Sequence, residues 1–289
     1  MSNLDFICYN WMPTVADHCM DLSEDFYASA GVSRLHNSTT INPERIQEDE
    51  VVFVKTDFIH NEEFQKTILP KIKNRFTLVT GISSYSVDHV SGPILENGLV
   101  KHWFCTNPPS IVNDKIIPLP IGFEEKERAG GSLDILNKHW SNQTAWDKKS
   151  NMLYLPYHTV GTNRDRDQQI QFLESLDFVY VEKNRLPFDE YLKKLGEYKY
   201  TLCLAGAGYD THRNYESLLV GSVPIMPSTC VEQIYTFYEL PGIFVNDWAR
   251  IEWVKLQTDY YNEVFPIEKV TQFFDTNSHK KRILEYAKN

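Results

Sequence analysis

The chain has 289 residues, a formal net charge of -10 at pH 7, 42% hydrophobic residues and 13% aromatic residues. This length fits one large domain or two of ordinary size, and the composition is that of a globular protein with a substantial core. The acidic balance argues against a dedicated nucleic-acid-binding protein, which would carry a basic surplus. An anionic small molecule is still an allowed ligand, because a local cluster of arginines is enough to bind one.

The 5 cysteines are scattered, odd in number and without a Cys-x-x-Cys pair. The sequence therefore predicts neither a zinc site nor a disulfide framework, and it favours a reducing compartment. No apolar run approaches the roughly 20 residues that cross a bilayer. The N-terminal residues do not have the pattern of a signal peptide. We expect a soluble, cytoplasmic protein with no integral membrane segment.

The first half of the chain alternates strand-like and helix-like segments. Apolar and β-branched runs predict strands at residues 4–9, 51–54, 76–80, 100–105 and 115–121. Residues 10–49 are polar and poorly periodic, which predicts short helices and loops, and a helix is predicted at residues 61–73 with Asn61 as its N-cap. Continuously apolar strands separated by helices are typical of a parallel sheet covered on both faces.

A second alternating series begins at Met152, after residues 130–150, which we interpret as the connection between two lobes. Its strands are predicted at residues 152–157, 178–182, 200–204, 223–226 and 242–245. Its helices are predicted at residues 188–195 and 231–238, with another ending near Leu176. Two α/β lobes predict a ligand cleft. We expect domains at residues 1–149 and 150–265, and a helical tail at 266–289 that packs back on the first lobe.

The most informative segment is residues 200–228, YTLCLAGAGYDTHRNYESLLVGSVPIMPS. It predicts a strand, a loop with Gly206 and Gly208, a helix with Arg213 and Glu216, and a second strand. Glycines at a strand–helix junction let the backbone approach a phosphate, and a helix N-terminus adds N–H donors and partial positive charge. Arg213 and Glu216 share one face of the helix. A guanidinium there matches phosphate oxygens, and a carboxylate accepts ribose hydroxyls, so the pattern indicates a nucleotide-binding site.

Simpler interpretations of these residues stay open at the level of the sequence. Gly-x-Gly at a strand–helix junction is common and is weak evidence alone. Arg213 and Glu216 also fit the solvated face of an ordinary amphipathic helix. His158 follows a predicted strand, and it fits either a donor-facing residue or a hydrogen-bonded core histidine.

Several spaced elements resemble the C-terminal lobe of exostosin-like glycosyltransferases, including small members without a membrane anchor in bacteria and in large DNA viruses of algae. That family shows a G-x-G-x-D-x-x-R-x-(Y/W)-E loop and helix, a G-(S/C)-x-P-(I/V) strand, and Leu-Pro and Asp-Trp signals. The matching residues are Gly206, Gly208, Asp210, Arg213, Tyr215, Glu216, Gly221, Pro224, Leu240, Pro241, Asp247 and Trp248. The segment MLYLPYHTVGTNRDR is similar to the opening of the family's second lobe, with Thr162, Asn163 and Arg166 in the corresponding places.

The resemblance implies an α/β GT-B architecture, with two Rossmann-like parallel-sheet lobes and the donor held by the second. It implies a glycosyltransferase that moves a sugar from a nucleotide sugar to a hydroxyl of a glycan acceptor. A UDP-sugar is the expected donor, UDP-xylose being one candidate, and the transfer is expected to be inverting and independent of metal or other cofactors. The donor-binding residues it implies are Arg166, Gly206, Gly208, Tyr209, Asp210, Arg213 and Glu216. Arg213 is also expected to stabilise the leaving diphosphate.

An inverting transfer needs a general base for the acceptor hydroxyl. Asp57 follows the strand predicted at residues 51–54, and Asp88 follows the turn after the next strand. The carboxyl ends of parallel strands are where sites gather, so both are candidates. We favour Asp57 over Asp88. Each also has a plainer interpretation, since Asp57 fits a helix cap and Asp88 fits an ordinary surface residue.

Two other classes of protein stay open. Relatives carry a carboxylate in the turn where this chain has Ile82, Ser83 and Ser84, which leaves room for a non-catalytic nucleotide- or carbohydrate-binding protein of the same fold. A nucleotide-sugar epimerase or a dehydrogenase would need G-x-G-x-x-G directly after the first strand. The residues after Tyr9 are Asn-Trp-Met-Pro-Thr, which makes that class a poor match.

Overall fold

The computed structural model describes residues 3–22, 40–159, 164–250 and 265–289. The chain divides into two compact units. The first unit comprises Asp5–Gly131 and Phe273–Asn289, and the second comprises Ser132–Gln272 and Met1–Leu4. Each unit contains one parallel β-sheet with helices. The prediction of an α/β protein is therefore confirmed, and the GT-B arrangement of the lobes stays a prediction.

Each sheet has five strands among the described residues. The strands of the first sheet are β1 (His18–Met20), β2 (Glu50–Lys55), β3 (Phe76–Gly81), β4 (Val100–Cys105) and β5 (Ile116–Pro118). The strands of the second sheet are β6 (Asn151–Leu155), β7 (Val179–Val181), β8 (Tyr198–Leu202), β9 (Val223–Pro227) and β10 (Ile243–Val245). All neighbouring strands pair in parallel.

The α-helices of the described residues are α1 (Thr56–His60), α2 (Gly92–Glu96), α3 (Leu133–Ser141), α4 (Arg164–Glu174), α5 (Phe188–Leu195), α6 (His212–Leu219), α7 (Val231–Tyr238), α8 (Ile267–Phe274) and α9 (Thr276–Lys288). Short 3-10 turns lie at Met12–Val15, Pro43–Arg45, Leu69–Lys71, Asp88–Val90, Ala129–Gly131, Trp146–Lys148 and Trp248–Arg250, and a π-helical turn lies at Phe64–Ile68. None of the helices in these described parts of the chain is long and apolar enough to cross a membrane.

The first sheet has the strand order β1-β2-β3-β4-β5. Strands β2 and β3 are almost entirely buried, as their apolar, β-branched sequences predict for strands covered on both faces. The long C-terminal helix α9 packs on this sheet, where Tyr286 makes edge-to-face contacts with His102 and Phe104. Lys101 Nζ also donates to the Ala287 carbonyl at 2.7 Å. The helix is thus a structural part of the first unit.

The second sheet has the strand order β10-β9-β8-β6-β7. After β6 the chain crosses by α4 to β7 on one side, and then by α5 to β8 on the other side of β6. The strand order therefore reverses between β6 and β8, which is a topological switch point. Ligands of open parallel sheets bind outside the carboxyl ends of the strands at such a point.

Three predicted elements differ from the structure. Residues 4–9 are predicted as a strand, but they form only isolated bridges. Phe6 pairs with Asp275, and Cys8 pairs with Phe123. Strand β1 lies in the region predicted to lack strands. No continuous helix forms at residues 61–73, where α1 has already ended and shorter turns follow. Glu62 adopts a left-handed φ of 63°, and Pro70 has no N–H to donate to a helical hydrogen bond.

Helix α3 lies in the segment interpreted from the sequence as an inter-lobe connection, and it packs against α5 and α6 within the second unit. Lys138 Nζ donates to both oxygens of Asp189 at 2.7 Å, and His139 Nε2 lies 2.8 Å from the same carboxylate. These contacts join the end of α3 to the start of α5.

Candidate functional site

Polar side chains gather at the switch point of the second sheet, where the segments after β6 and β8 begin. Strand β6 leads into Tyr157 and His158, and β8 leads into the loop with Gly206 and then into α6. Register between the strands fixes this proximity, because Leu153 pairs with Tyr200 and Tyr154 with Thr201. The loops come together because the topology places β6 beside β8, and not because they are close in sequence.

Arg213, in the first turn of α6, joins the two loops. Its Nη1 donates to His158 Nε2 at 2.5 Å, and its Nη2 donates to the Tyr157 carbonyl at 3.2 Å. His158 Nδ1 lies 2.6 Å from the Pro156 carbonyl, which can only accept, so the ring proton resides on Nδ1. Burial and the charge of Arg213 lower the pKa of His158 to about 3, and the imidazole is therefore neutral. These two acceptors are uncharged, whereas the Glu216 carboxylate also acts on the guanidinium.

Arg166 brings a second guanidinium to the same place. Its Nη2 donates to the Thr159 carbonyl at 2.8 Å, in the segment that follows His158. Its charge also contributes to the lowered pKa of His158, after burial and Arg213. Two arginines thus act on one neutral histidine at the carboxyl end of β6.

Glu216 lies on the same face of α6 as Arg213 and is held from the neighbouring helix. The Tyr191 hydroxyl of α5 donates to Glu216 Oε2 at 3.0 Å. Burial, followed by the charge of Glu216, raises the pKa of Tyr191, so that the hydroxyl stays protonated as a donor. Burial opposes the charged form of Arg213, but Tyr191 and Glu216 outweigh it and raise the pKa of Arg213. The site therefore holds a permanent cation and a positioned carboxylate side by side.

Asp210 fixes the loop to the start of α6. It is buried, and its carboxylate accepts from Asn214 Nδ2 at 3.0 Å and from the Tyr215 hydroxyl at 2.5 Å. Thr211 donates its hydroxyl to Asn214 Oδ1 at 3.1 Å and makes no side-chain cap to the helix. The first turn of α6 contains no acidic residue. Asp210 thus shapes the helix N-terminus, and its contact with a donor sugar stays a prediction.

The glycine loop is closed by its own backbone. The Gly206 N–H donates to the Gly208 carbonyl at 3.0 Å, and Tyr209 at the tip is 48% exposed. A Cβ added to Gly206 would meet only Thr211 Cγ2, at 3.5 Å, which is an ordinary contact. The fold therefore does not require glycine at position 206. A ligand that approaches the backbone closely would require it.

Gly206→Ala is expected to leave the free energy of unfolding unchanged or to raise it by up to about 1 kcal/mol, because the added methyl fits and the unfolded chain becomes stiffer. The same methyl is expected to weaken nucleotide binding by about tenfold, which corresponds to about 1.4 kcal/mol. Isothermal titration with UDP and thermal unfolding measure the two effects separately. Gly98→Ala, at an exposed glycine with open space, is the control, and it should change stability by a similarly small amount and leave binding unchanged. Unweakened binding by Gly206→Ala would contradict a close backbone approach.

The first unit carries the two predicted candidates for a general base. Asp57 lies in the first turn of α1, and its carboxylate is ion-paired with Nζ of the buried Lys55. The N-cap position belongs to Lys55, so Asp57 does not cap the helix. The Asp57 side chain is 32% exposed, which leaves part of the carboxylate accessible.

The Asp88 carboxylate accepts two hydrogen bonds, which fix its position. These come from the Ser86 hydroxyl and from the Ser110 N–H, both at 2.6 Å. Burial acts to raise the pKa of Asp88, but the hydrogen bonds from Ser110 and Ser86 outweigh it, and the pKa is lowered. A carboxylate with a lowered pKa is a weaker proton acceptor. Asp88 also ties the turn after β3 to the loop after β4, which is a structural role.

An aromatic cluster that the sequence did not predict joins Tyr85 to His60 and to His89, the residue after Asp88. The His60 ring stacks on Tyr85 with centroids 4.2 Å apart, and His89 meets His60 edge to face at 4.8 Å. The turn that carries Tyr85 begins at Ile82, whose φ of 58° is rare for a β-branched residue. Such strained positions concentrate at functional sites.

Sequence reasoning also missed the partners of the predicted site residues. Neither Tyr191 nor Asn214 is a defined position of the sequence motif. Only the apolar periodicity of α5 indicates that the tyrosine lies on a packed face. Thr162 and Asn163 lie outside the described residues. Among the residues that are described, no group of three or more His, Cys, Asp and Glu side chains is placed to hold a metal ion.

Comparison with solved structures gives a weak likeness. No family model matches the chain, and no curated protein matches it. Among solved structures, a chain of the crystal structure of a GtfA/B complex is 11% identical, with a TM-score of 0.42. The likeness covers 85% of this chain, which spans only 59% of that chain. A likeness this distant concerns at most the fold and supports no statement about activity.

Proposed function

We propose that this protein is a glycosyltransferase that takes a sugar from a UDP-sugar and transfers it to a hydroxyl of a glycan acceptor. The observation that supports the proposal most directly is the position of Arg213 at the switch point of the second sheet. Its guanidinium donates there to a neutral imidazole and to a carbonyl, and the neighbouring Glu216 carboxylate helps to keep it charged. The exostosin-like motif supports the same class of enzyme.

The diphosphate of the donor binds at the N-terminal end of α6 in this proposal. Arg213 and Arg166 supply positive charge, and the helix adds N–H donors and the positive end of its dipole. The first turn of α6 has no acidic residue, and the Asp210 carboxylate ahead of it already accepts hydrogen bonds from Asn214 and Tyr215. Tyr209 is exposed at the tip of the loop, and we propose that it contacts the sugar or the diphosphate.

The nucleoside binds next to the diphosphate, through Glu216. A carboxylate accepts hydrogen bonds from the two ribose hydroxyls, and Tyr191 keeps this carboxylate in a fixed orientation. Glu216 lies one helical turn from Arg213, which matches the succession of diphosphate and ribose in a nucleotide. Uridine as the base follows from the family resemblance.

The chemistry is a single displacement with inversion at the anomeric carbon. The acceptor oxygen forms a bond to that carbon, the bond from the carbon to the diphosphate oxygen breaks, and UDP leaves. Negative charge grows on the diphosphate, and Arg213 and Arg166 stabilise it. Because two guanidiniums can supply the charge that a metal ion supplies in other transferases, we propose that the transfer does not depend on a metal.

Asp57 is the proposed base that accepts the proton of the acceptor hydroxyl. Its carboxylate is ion-paired with Lys55 and stays 32% exposed, so part of it is open to the proton of an acceptor hydroxyl. Asp88 is the weaker candidate, because hydrogen bonds lower its pKa.

A non-catalytic nucleotide-binding protein is the second candidate. Both carboxylates proposed as bases already have partners, and the turn with Ser83 and Ser84 has no carboxylate. Such a protein would bind UDP at the same site and would release no UDP from a UDP-sugar, so turnover distinguishes the two candidates.

Isothermal titration with UDP in the presence of EDTA tests the proposed donor site. We expect a Kd on the order of 1–100 μM, equivalent to about 5.5–8.2 kcal/mol of binding free energy. Glu216→Ala is expected to weaken UDP binding and not to weaken pyrophosphate binding, since the carboxylate is proposed to contact only the ribose and its negative charge opposes a bound diphosphate. Glu190→Ala, an exposed glutamate on α5, is the matched control. A folded protein that binds no nucleotide would contradict the proposal.

A further inference from the structure

Lys149 is a buried cation that no step of the proposed reaction uses. It lies between the turn Trp146–Lys148 and strand β6, and its side chain is almost completely buried. Its Nζ donates to the Gly196 carbonyl at 2.6 Å and to the Val220 carbonyl at 2.8 Å. Gly196 is the C-terminal cap residue of α5, and Val220 is that of α6. One ammonium group therefore joins the ends of two helices.

Burying the Lys149 amino group has a desolvation cost, which its hydrogen bonds to two carbonyl groups offset in part. Burial lowers the pKa of Lys149 to about 7. The last carbonyls of a helix carry the negative end of its dipole and have no partner within the helix, so they are suited to hold a cation. A neutral side chain would avoid the desolvation cost, which suggests that the link between the helices has a use.

Helices α5 and α6 are the two helices that hold the Tyr191–Glu216 pair. Their C-terminal ends are in contact, since a Cβ added to Gly196 would lie 3.5 Å from Val220 Cβ. At about 1.5 Å of rise per residue, Glu216 lies about 6 Å along the axis from Val220, and Tyr191 about 7.5 Å from Gly196. The Lys149 link and the Tyr191–Glu216 hydrogen bond are thus two nearby connections between the same pair of rigid elements.

We propose that Lys149 is a positioning residue for the ribose site, which sets the spacing of α5 and α6 and thereby the orientation of the Glu216 carboxylate. The inference rests on the proposed nucleotide-binding function, and it names a residue that acts through others and touches no substrate. Gln143 anchors only α6, by donating to the Leu219 carbonyl at 2.5 Å, and therefore cannot set this spacing alone.

The test is the ratio of the affinities for UDP and 2′,3′-dideoxy-UDP, measured by titration at constant pH. Lys149→Met and Lys149→Gln are expected to lower this ratio by about fivefold to tenfold relative to wild type, because the carboxylate is no longer held toward the ribose. Their affinity for pyrophosphate should not change. A merely structural role would lower the melting temperature and leave the ratio as it is.

Two controls separate positioning from loss of charge or stability. Lys148→Met removes the neighbouring exposed lysine, and Gln143→Met removes the anchor of α6 alone, and both should keep the wild-type ratio. An unchanged ratio in folded Lys149 variants would overturn the inference about Lys149 and leave the proposed function standing. If Lys149→Met does not fold, Lys149→Gln, which keeps one donor, decides the question. Absence of UDP binding by the wild type would overturn the proposed function and this inference with it.

Discussion

Replacing Arg213 by methionine is expected to lower kcat for transfer by about 10²- to 10³-fold, the effect of removing one donor that stabilises a growing negative charge. Methionine keeps much of the side-chain volume and removes the charge. The affinity for UDP should fall as well, by about 10- to 100-fold, because a charge-assisted contact to phosphate is lost. Arg213→Lys should lie between wild type and Arg213→Met, because it keeps the charge and loses the planar fork.

Steady-state kinetics and isothermal titration measure these two effects. Arg185→Met, at an exposed arginine of the second unit, is the control for a general loss of positive charge. His158 loses a donor when Arg213 is replaced, so melting temperatures are needed to show that the variant is folded. Unchanged kcat and unchanged UDP affinity in folded Arg213→Met would exclude Arg213 from the site.

Asp57→Asn is expected to lower kcat by about 10²- to 10⁴-fold, the contribution of a general base. Binding of UDP should be unaffected, since the proposed donor contacts are all in the second unit. The free energy of unfolding should fall by about 1–2 kcal/mol, because Lys55 is buried and loses its anionic partner, while the exposure of Asp57 limits the loss.

The matched variant for Asp57→Asn is Asp88→Asn. It removes an acceptor of the Ser86 and Ser110 hydrogen bonds, so its main expected effect is on the stability of the loops. A larger loss of kcat in Asp88→Asn than in Asp57→Asn would reassign the base. Full activity in both variants would exclude both carboxylates as the base and would make His60 and His89 the next candidates.

The sequence predicts the parts of this fold that local patterns determine. Strands β2 and β3 are mostly apolar, β-branched runs, and α5 and α7 begin and end where the apolar periodicity predicts. The segment at residues 4–9 shows the limit of this reasoning. Phe6 is apolar and buried among aromatic rings, yet its backbone pairs with only one residue, so composition alone cannot separate it from a strand.

The candidate site is predictable where its residues share one element. Arg213 and Glu216 are on one helix face, and their spacing is visible in the sequence. Their partners Tyr191 and His158 come from α5 and from the segment after β6, and only the strand order of the second sheet brings them together. Lys149 could not be predicted either, because its partners are backbone carbonyls, which leave no pattern in the sequence.

A crystal structure of the protein with UDP, grown in the presence of EDTA, tests the central claim most directly. The account predicts diphosphate oxygens about 3 Å from the Arg213 guanidinium and ribose hydroxyls on the Glu216 carboxylate. It further predicts that Tyr191 keeps its hydrogen bond to Glu216 in the complex. UDP bound away from the carboxyl ends of β6 and β8, or no bound UDP at saturating concentration, would contradict the account.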